Sequence, residues 1–156
     1  AHECILDFRD LKSKTGLSVN DLAKRLIDYS FHAPTISWPV PETIMIEPTE
    51  SESLAELDRF CEAMLLIGEE ISEIENNIEL NNNNVISNAP HTLKELIADN
   101  WHYPYSKEKA SFPYKTPTNI KFWSSVSRIN NAYGDRNLIC SCNVNQGETL
   151  EEKKCA

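Results

Sequence analysis

Few residues in this chain have chemistry to offer, and they are scattered. His2 and Glu3 stand at its start, and His32 sits in Phe31-His32-Ala33-Pro34, a setting typical of a loop histidine satisfied by its surroundings. Thr49, Glu50 and Ser51 follow Pro48, which fixes φ and discourages a helical conformation at Glu47. Thr49 fits the N-cap of a following helix, with Glu52 three residues on to complete a capping box. Glu50 and Glu52 would then lie in the first turn, where the helix dipole favours negative charge. The free N–H groups of such a start can also hold an anion, such as a carboxylate or a group on a partner. Arg128 and Arg136 flank Asn130, Asn131 and Asp135, and Arg136 reads as a buried or interface ion-pair partner for an Asp. Cys140 and Cys142 would share one face of a strand. They lack a second Cys/His pair at zinc spacing, which leaves a redox lock with an upstream cysteine as their sharper reading. Cys4 and Cys61 read as small hydrophobes on core faces, and the cysteine pattern as a whole fits a reducing compartment.

The elements that must carry these residues are legible from periodicity. Glu3–Phe8 is a short apolar run and predicts a strand; Arg9–Gly16 is a basic, polar loop. Ser18 caps a helix with Asp21 as its capping-box acid. Val19, Leu22, Ala23, Leu26 and Ile27 form the buried stripe, and Lys24 and Arg25 face water. That helix ends near Tyr29-Ser30, with Ser30 where a left-handed residue, usually Gly, is expected. Thr35–Trp38 and Thr43–Ile46, joined by a Pro-containing turn, predict a hairpin. A long helix follows to about Asn77, with Leu54, Leu57, Phe60, Cys61, Met64, Ile67, Ile71, Ile74 and Ile78 on its apolar face. Gly68 is its weak point.

The order strand, helix, strand, strand, long helix predicts an α+β fold, a small three- to four-stranded sheet with helices on one face. Residues 1–80 form this core. Residues 81–90 are an Asn-rich loop expected to be mobile. Residues 91–142 are a helical, then irregular, wrapping segment of the same domain. Thr92 with Glu95 caps one short helix and Ser106 starts another, and 138–142 reads as a last strand. Residues 143–156 are a flexible tail. Phe112, Tyr114, Phe122, Trp123 and Tyr133 in the irregular stretch must cover a surface, either of this domain or of protein beyond it.

At 156 residues, one domain is expected. The net charge of −9 belongs to residues 50–79, which hold ten acids and one base; the remainder is balanced. Those acids read as the solvated face of the long helix, or as a docking face for a basic partner. There is no basic stripe for nucleic acid and no apolar run long enough for a membrane helix. The chain starts Ala-His-Glu-Cys, without Met or a signal pattern, as if in the middle of something.

Taken together, A-H-E-C-I-L-D (1–7), D-L-A-K-R-L-I-D-Y (21–29), F-H-A-P-T (31–35), I-E-P-T-E-S-E (46–52), A-E-L-D-R-F-C (55–61), A-P-H-T (89–92), P-Y-S (104–106), K-F-W (121–123) and Y-G-D-R-N-L (133–138) resemble the C-terminal part of glycine decarboxylase, the P-protein of the glycine cleavage system. The resemblance runs in order over about 140 residues. It departs at Ser30, where the family usually has Gly, at Pro41-Glu42, which replaces a common Ala-Gly turn, and in the Asn run. It implies the small domain of a fold-type I pyridoxal-phosphate enzyme that decarboxylates glycine and passes the aminomethyl group to the lipoyl arm of H-protein. The cofactor supplies the electron sink.

The lysine and phosphate cradle such chemistry needs are not evident. The ten lysines lie in polar, exposed-looking contexts and the four glycines are scattered. The resemblance therefore implies a domain of a longer, dimeric enzyme, with the cofactor lysine upstream and no cofactor on this chain alone. His2, His32, Thr49, Glu50, Ser51 and Arg136 become candidate cleft or partner contacts. The location implied is the mitochondrial matrix in a eukaryote and the cytoplasm in a bacterium. The rivals are a self-sufficient regulatory domain that binds a small molecule, and an interaction module using the acidic helix face.

Overall fold

A computed structural model describes residues 2–48, 50–77, 82–114 and 121–139. The elements run β1 (Cys4–Asp7), α1 (Leu11–Thr15), α2 (Val19–Asp28), β2 (Thr35–Ile36), β3 (Thr43–Ile46), α3 (Leu54–Asn76), α4 (Leu93–Ile97), α5 (Lys107–Ser111) and α6 (Asn131–Arg136). The sheet is antiparallel in the order β1-β3-β2, with Leu6 opposite Ile44 and Ile36 opposite Ile44 on the other side. Period-two alternation turns Ile44, Ile46 and Ile36 toward the helices, where they pack with Leu17, Leu22, Leu26, Ala63, Ile67 and Ile74. The α+β arrangement predicted from the sequence is the one observed.

α2 has the expected start. Ser18 N and Ser18 Oγ both donate to Asp21 Oδ2 at 2.8 Å. It also has a second anionic cap from outside the helix, since Glu42 Oε2 accepts from Val19 N at 3.1 Å. An acid there suits both the orphan N–H groups and the helix dipole. Glu42 and Ser30 are non-glycine residues in the left-handed region. Both adopt the positive φ that Gly would supply, at 58° and 65°.

Several expectations are corrected. The long helix starts at Leu54, not after Thr49. Ser53 is the N-cap and accepts from Glu56 N at 3.2 Å. Two S/T-x-x-E frames follow one another here, Thr49–Glu52 and Ser53–Glu56, and the helix starts from the second. Glu56 does not close a box, because its carboxylate takes the Arg59 guanidinium instead. Glu50 and Ser51 lie in the turn before the helix, and Thr49 lies outside the described residues. Arg9–Gly16 is not all loop: α1 occupies it, closed by a left-handed Gly16. Cys4 and Cys61 are exposed rather than core. In the Asn run Asn84 is buried, and its Oδ1 accepts from Ile86 N and Ser87 N in a closed turn that seats Val85 and Ile86 in the core. α6 interrupts the stretch expected to be irregular. Leu138 and Ile139 are exposed and not in a strand, while Cys140, Cys142, the expected last strand beyond 139 and the tail lie outside the described residues.

Candidate functional site

The largest departure from the sequence reading is Arg25, which is fully buried rather than facing water. The spacing of Asp21, Arg25 and Asp28 explains it. Steps of four and three place all three on one helix face, beside the apolar stripe. α2 is thus buried on two sides, its apolar side toward the sheet and α3, its polar side toward the segment that returns after residue 83.

Arg25 uses every arm of its guanidinium. Nε and Nη2 donate to the two carboxylate oxygens of Glu70 on α3, at 2.9 and 2.6 Å. Nη1 donates to Asp28 Oδ2 at 2.9 Å and to Ala110 O at 2.8 Å, and Nη2 to Lys109 O at 2.9 Å. Lys109 and Ala110 lie in the last turn of α5, whose last carbonyls have no partner within so short a helix; Arg25 supplies one. Burial alone would lower the Arg25 pKa. The charge and hydrogen bonds of Glu70, then the charge of Asp28, outweigh it and raise the value above the ordinary arginine range. Glu70, counted among the solvated acids of α3 from sequence, is a buried member of this cluster. Burial, reinforced by Glu70, raises the Tyr29 pKa and keeps its hydroxyl a donor to Glu70 Oε1.

Asp28 carries the network on to His91. Its Oδ1 accepts from His91 N and its Oδ2 meets His91 Nδ1, both at 2.8 Å. His91 Nε2 lies 2.8 Å from Tyr105 Oη. Burial holds the Tyr105 hydroxyl well above the usual phenol range, so it meets Nε2 as a neutral hydroxyl. Trp101, Tyr103 and Tyr105 surround the imidazole with ring centroids 5.6–6.3 Å away, and Trp101 Nε1 donates to Tyr105 O at 2.5 Å. Asp28–His91–Tyr105 has the composition of a proton relay. Yet His91 and Asp28 are buried and every polar atom is engaged. The arrangement holds; it does not present a reactive atom to a substrate.

Two further cations tie the last described segment to α2. Lys121 Nζ donates to Asp28 O, at the C-terminal end of the helix, and Arg128 pairs with Asp21 while donating to Ala89 O at 3.1 Å. Phe122 N donates to Ser30 Oγ at 3.0 Å. That bond is a physical reason for Ser at a position whose φ favours Gly. Lys121 is half-buried, which pulls its pKa down to about 8 despite the charge of Asp28. It was read from sequence as exposed.

The candidates named from sequence are elsewhere. His2 is exposed beside Glu3, His32 is exposed after α2, and Arg136 is exposed at the end of α6, without an ion pair among the described residues. These three share no hydrogen bond or ion pair with one another. Glu50 and Ser51 are exposed in their turn. Among the described residues no group of three or more His, Cys, Asp or Glu could hold a metal ion, and no helix is long and apolar enough to cross a membrane. An open hollow of about 540 Å³ lies between α1 and α3 at Arg9, Lys14 and Glu75, where Asp7 already holds Arg9 in a bidentate pair.

The outer side of the wrapping segment exposes apolar side chains. Phe122, Val126, Ile129 and Tyr133 are more than half exposed and Ile139 is 96% exposed. Leu93 and Ile97 of α4 and Leu54 and Leu65 of α3 are exposed as well.

Residues 1–91 match the family described as "Glycine dehydrogenase, C-terminal domain". The chain is 62% identical over 142 residues to a glycine dehydrogenase (decarboxylating) of Prochlorococcus marinus, and 58% identical over 144 residues to that of Thermosynechococcus vestitus. It is 57% identical over 142 residues to a glycine dehydrogenase (decarboxylating), mitochondrial, of Dictyostelium discoideum. These alignments cover 91–92% of this chain but 14–15% of each relative. The chain thus spans about one-seventh of the length of the curated relatives it matches.

Proposed function

The chain belongs to the glycine dehydrogenase (decarboxylating) family, whose C-terminal domain it carries, and on that premise we propose that it forms one wall of a longer enzyme rather than a catalyst by itself. The reaction of that enzyme would be decarboxylation of glycine with transfer of the aminomethyl group to lipoyl H-protein. The observation that carries this reading is the exposed apolar strip of residues 122–139. A self-sufficient domain would turn Phe122, Ile129 and Tyr133 onto its own sheet; here they face outward, as surfaces do when further protein covers them. This counts against the self-sufficient regulatory domain.

Pyridoxal phosphate would supply the electron sink for the carbanion. The described residues do not make a site for it. Lys107 Nζ donates to Leu96 O and Ala98 O, Lys121 Nζ to Asp28 O, and Lys109 pairs with Glu73, while Lys12, Lys14 and Lys94 are exposed. Gly16, Gly68 and Gly134 lie on separate helices or helix ends and form no phosphate cradle. Our reading is therefore that the cofactor is held by protein outside this chain, that this chain resembles the small domain of a fold-type I enzyme, and that the whole enzyme is a dimer. A mitochondrial relative and bacterial ones support a matrix location in a eukaryote and a cytoplasmic one in a bacterium.

An antibody against this chain should detect a native protein several times its size. That protein should exchange CO2 with glycine only when pyridoxal phosphate and H-protein are supplied. A native form no larger than 17.8 kDa would sink the reading.

A further inference from the structure

Among the buried side chains of the described residues, Ser111 is the exception to full hydrogen bonding. It is completely buried at the end of α5, and its Oγ has no partner. A buried hydroxyl without a partner costs about 1–3 kcal/mol, so such a group calls for an explanation. Ser111 lines a small cavity together with Asp28, Tyr29, Phe112, Pro113, Tyr114 and Lys121, with a volume of about 10 Å³. Roughly 10–15 Å³ is what one water molecule requires.

The lining also has the polar groups a buried water needs. Lys121 carries three N–H donors and spends one on Asp28 O. Asp28 O has a second lone pair. Ser111 Oγ can donate or accept. We propose that this cavity is a built-in site for a single water molecule, which links the Ser111 hydroxyl to the Lys121 ammonium and the Asp28 carbonyl.

The water joins three parts of the chain at one point: the C-terminal end of α2, the end of α5 and the start of the 121–139 segment. It gives the Lys121 ammonium a second acceptor in a place where burial disfavours its charge. No larger ligand fits, and an apolar one would leave Ser111 as it is.

Two measurements on the intact protein test this. A crystal structure sharp enough to show ordered water should place one molecule within hydrogen-bond distance of Ser111 Oγ and Lys121 Nζ. A cavity closed by protein atoms, or a Ser111 hydroxyl donating to a protein acceptor, overturns the proposal. The second measurement is the pH dependence of Lys121 acylation by a small reagent, followed by mass spectrometry. Ser111→Val fills the cavity and expels the water, so the ammonium loses an acceptor. About threefold more of Lys121 should then be free amine at pH 7. Ser111→Ala leaves room for the water and should label like the natural protein. Identical profiles for the two variants overturn the proposal. Should Ser111→Val fail to fold, the crystallographic result decides.

Discussion

Arg25 is the residue on which most of the described fold depends, because four of its five hydrogen bonds join α2 to α3 and α5 and the fifth holds Asp28 on its own helix. Removing one partner of a buried ion pair costs roughly 3–5 kcal/mol, since the other charge stays buried and unpaired. Arg25→Ala and Glu70→Ala should each lower stability by about that much in chemical denaturation. Glu69→Ala, on the exposed side of α3, should change it by less than ~0.5 kcal/mol. Ser30 gives a finer test. Ser30→Ala keeps the positive φ and loses the bond to Phe122 N, at a cost of about 1–2 kcal/mol. Ser30→Gly also loses the bond but relieves the backbone, and should be near neutral. The pH dependence of stability should carry the signature of Lys121. Below pH 8 the lysine is charged folded and unfolded, and above its ordinary value of 10.5 it is neutral in both. Between them the unfolded chain binds the proton that the folded one has released, so this residue makes stability rise with pH across that window. Lys121→Met should flatten the rise, measured as the denaturation midpoint from pH 7.5 to 10.5.

At the scale of elements, the sheet, α2 and most of α3 were legible in the sequence because apolar period and caps agree there. Ser18-x-x-Asp21 and Thr92-x-x-Glu95 name their helix starts unambiguously. The start of α3 was misread because two cap frames compete. The decider is that Ser53 has Glu56 and Arg59 beyond it in helical spacing, which anchors the later frame. Ser53→Ala should therefore fray the first turn and cost about 1 kcal/mol, whereas Glu52→Ala should leave the helicity unchanged by circular dichroism. The charged cluster was missed for a different reason. A stripe of Asp21, Arg25 and Asp28 has the pattern of a solvated face, and its burial is set by residues 70 to 128, up to 107 positions away. The visible signal was the pairing of that stripe with a dense aromatic run, Trp101-His102-Tyr103-Pro104-Tyr105, which needs polar partners for its N–H and O–H groups.

For the molecule as a whole, the charge asymmetry has changed its meaning. Glu70 is structural, so the acidic surface of α3 is smaller than the sequence suggests, and charge reversal at the exposed Glu69 tests it as a docking face without touching the buried cluster. The apolar strip is the better surface for contact with the rest of the enzyme. Replacing Phe122, Ile129 and Tyr133 by Ser should leave the stability of the domain within ~0.5 kcal/mol per site. It should weaken association with the remaining polypeptide when the two are expressed as separate pieces and recovered together.

The family match ends at residue 91, yet the bonds of Arg25, Asp28 and His91 cross that line, Arg25 to Lys109 and Ala110, Asp28 to Lys121 and His91 to Tyr105. Two of the atoms that receive Arg25 are main-chain oxygens, which any amino acid provides. The second half of the domain can thus diverge in side chains around residues 109 and 110 while the joint persists, but it cannot be deleted. Hybrids that graft residues 92–139 from a relative should fold wherever the graft keeps an aromatic hydroxyl at 105 and cations at 121 and 128. A chain clipped after His91 should collapse, because its arginine would have lost part of the polar surroundings that let it stay inside.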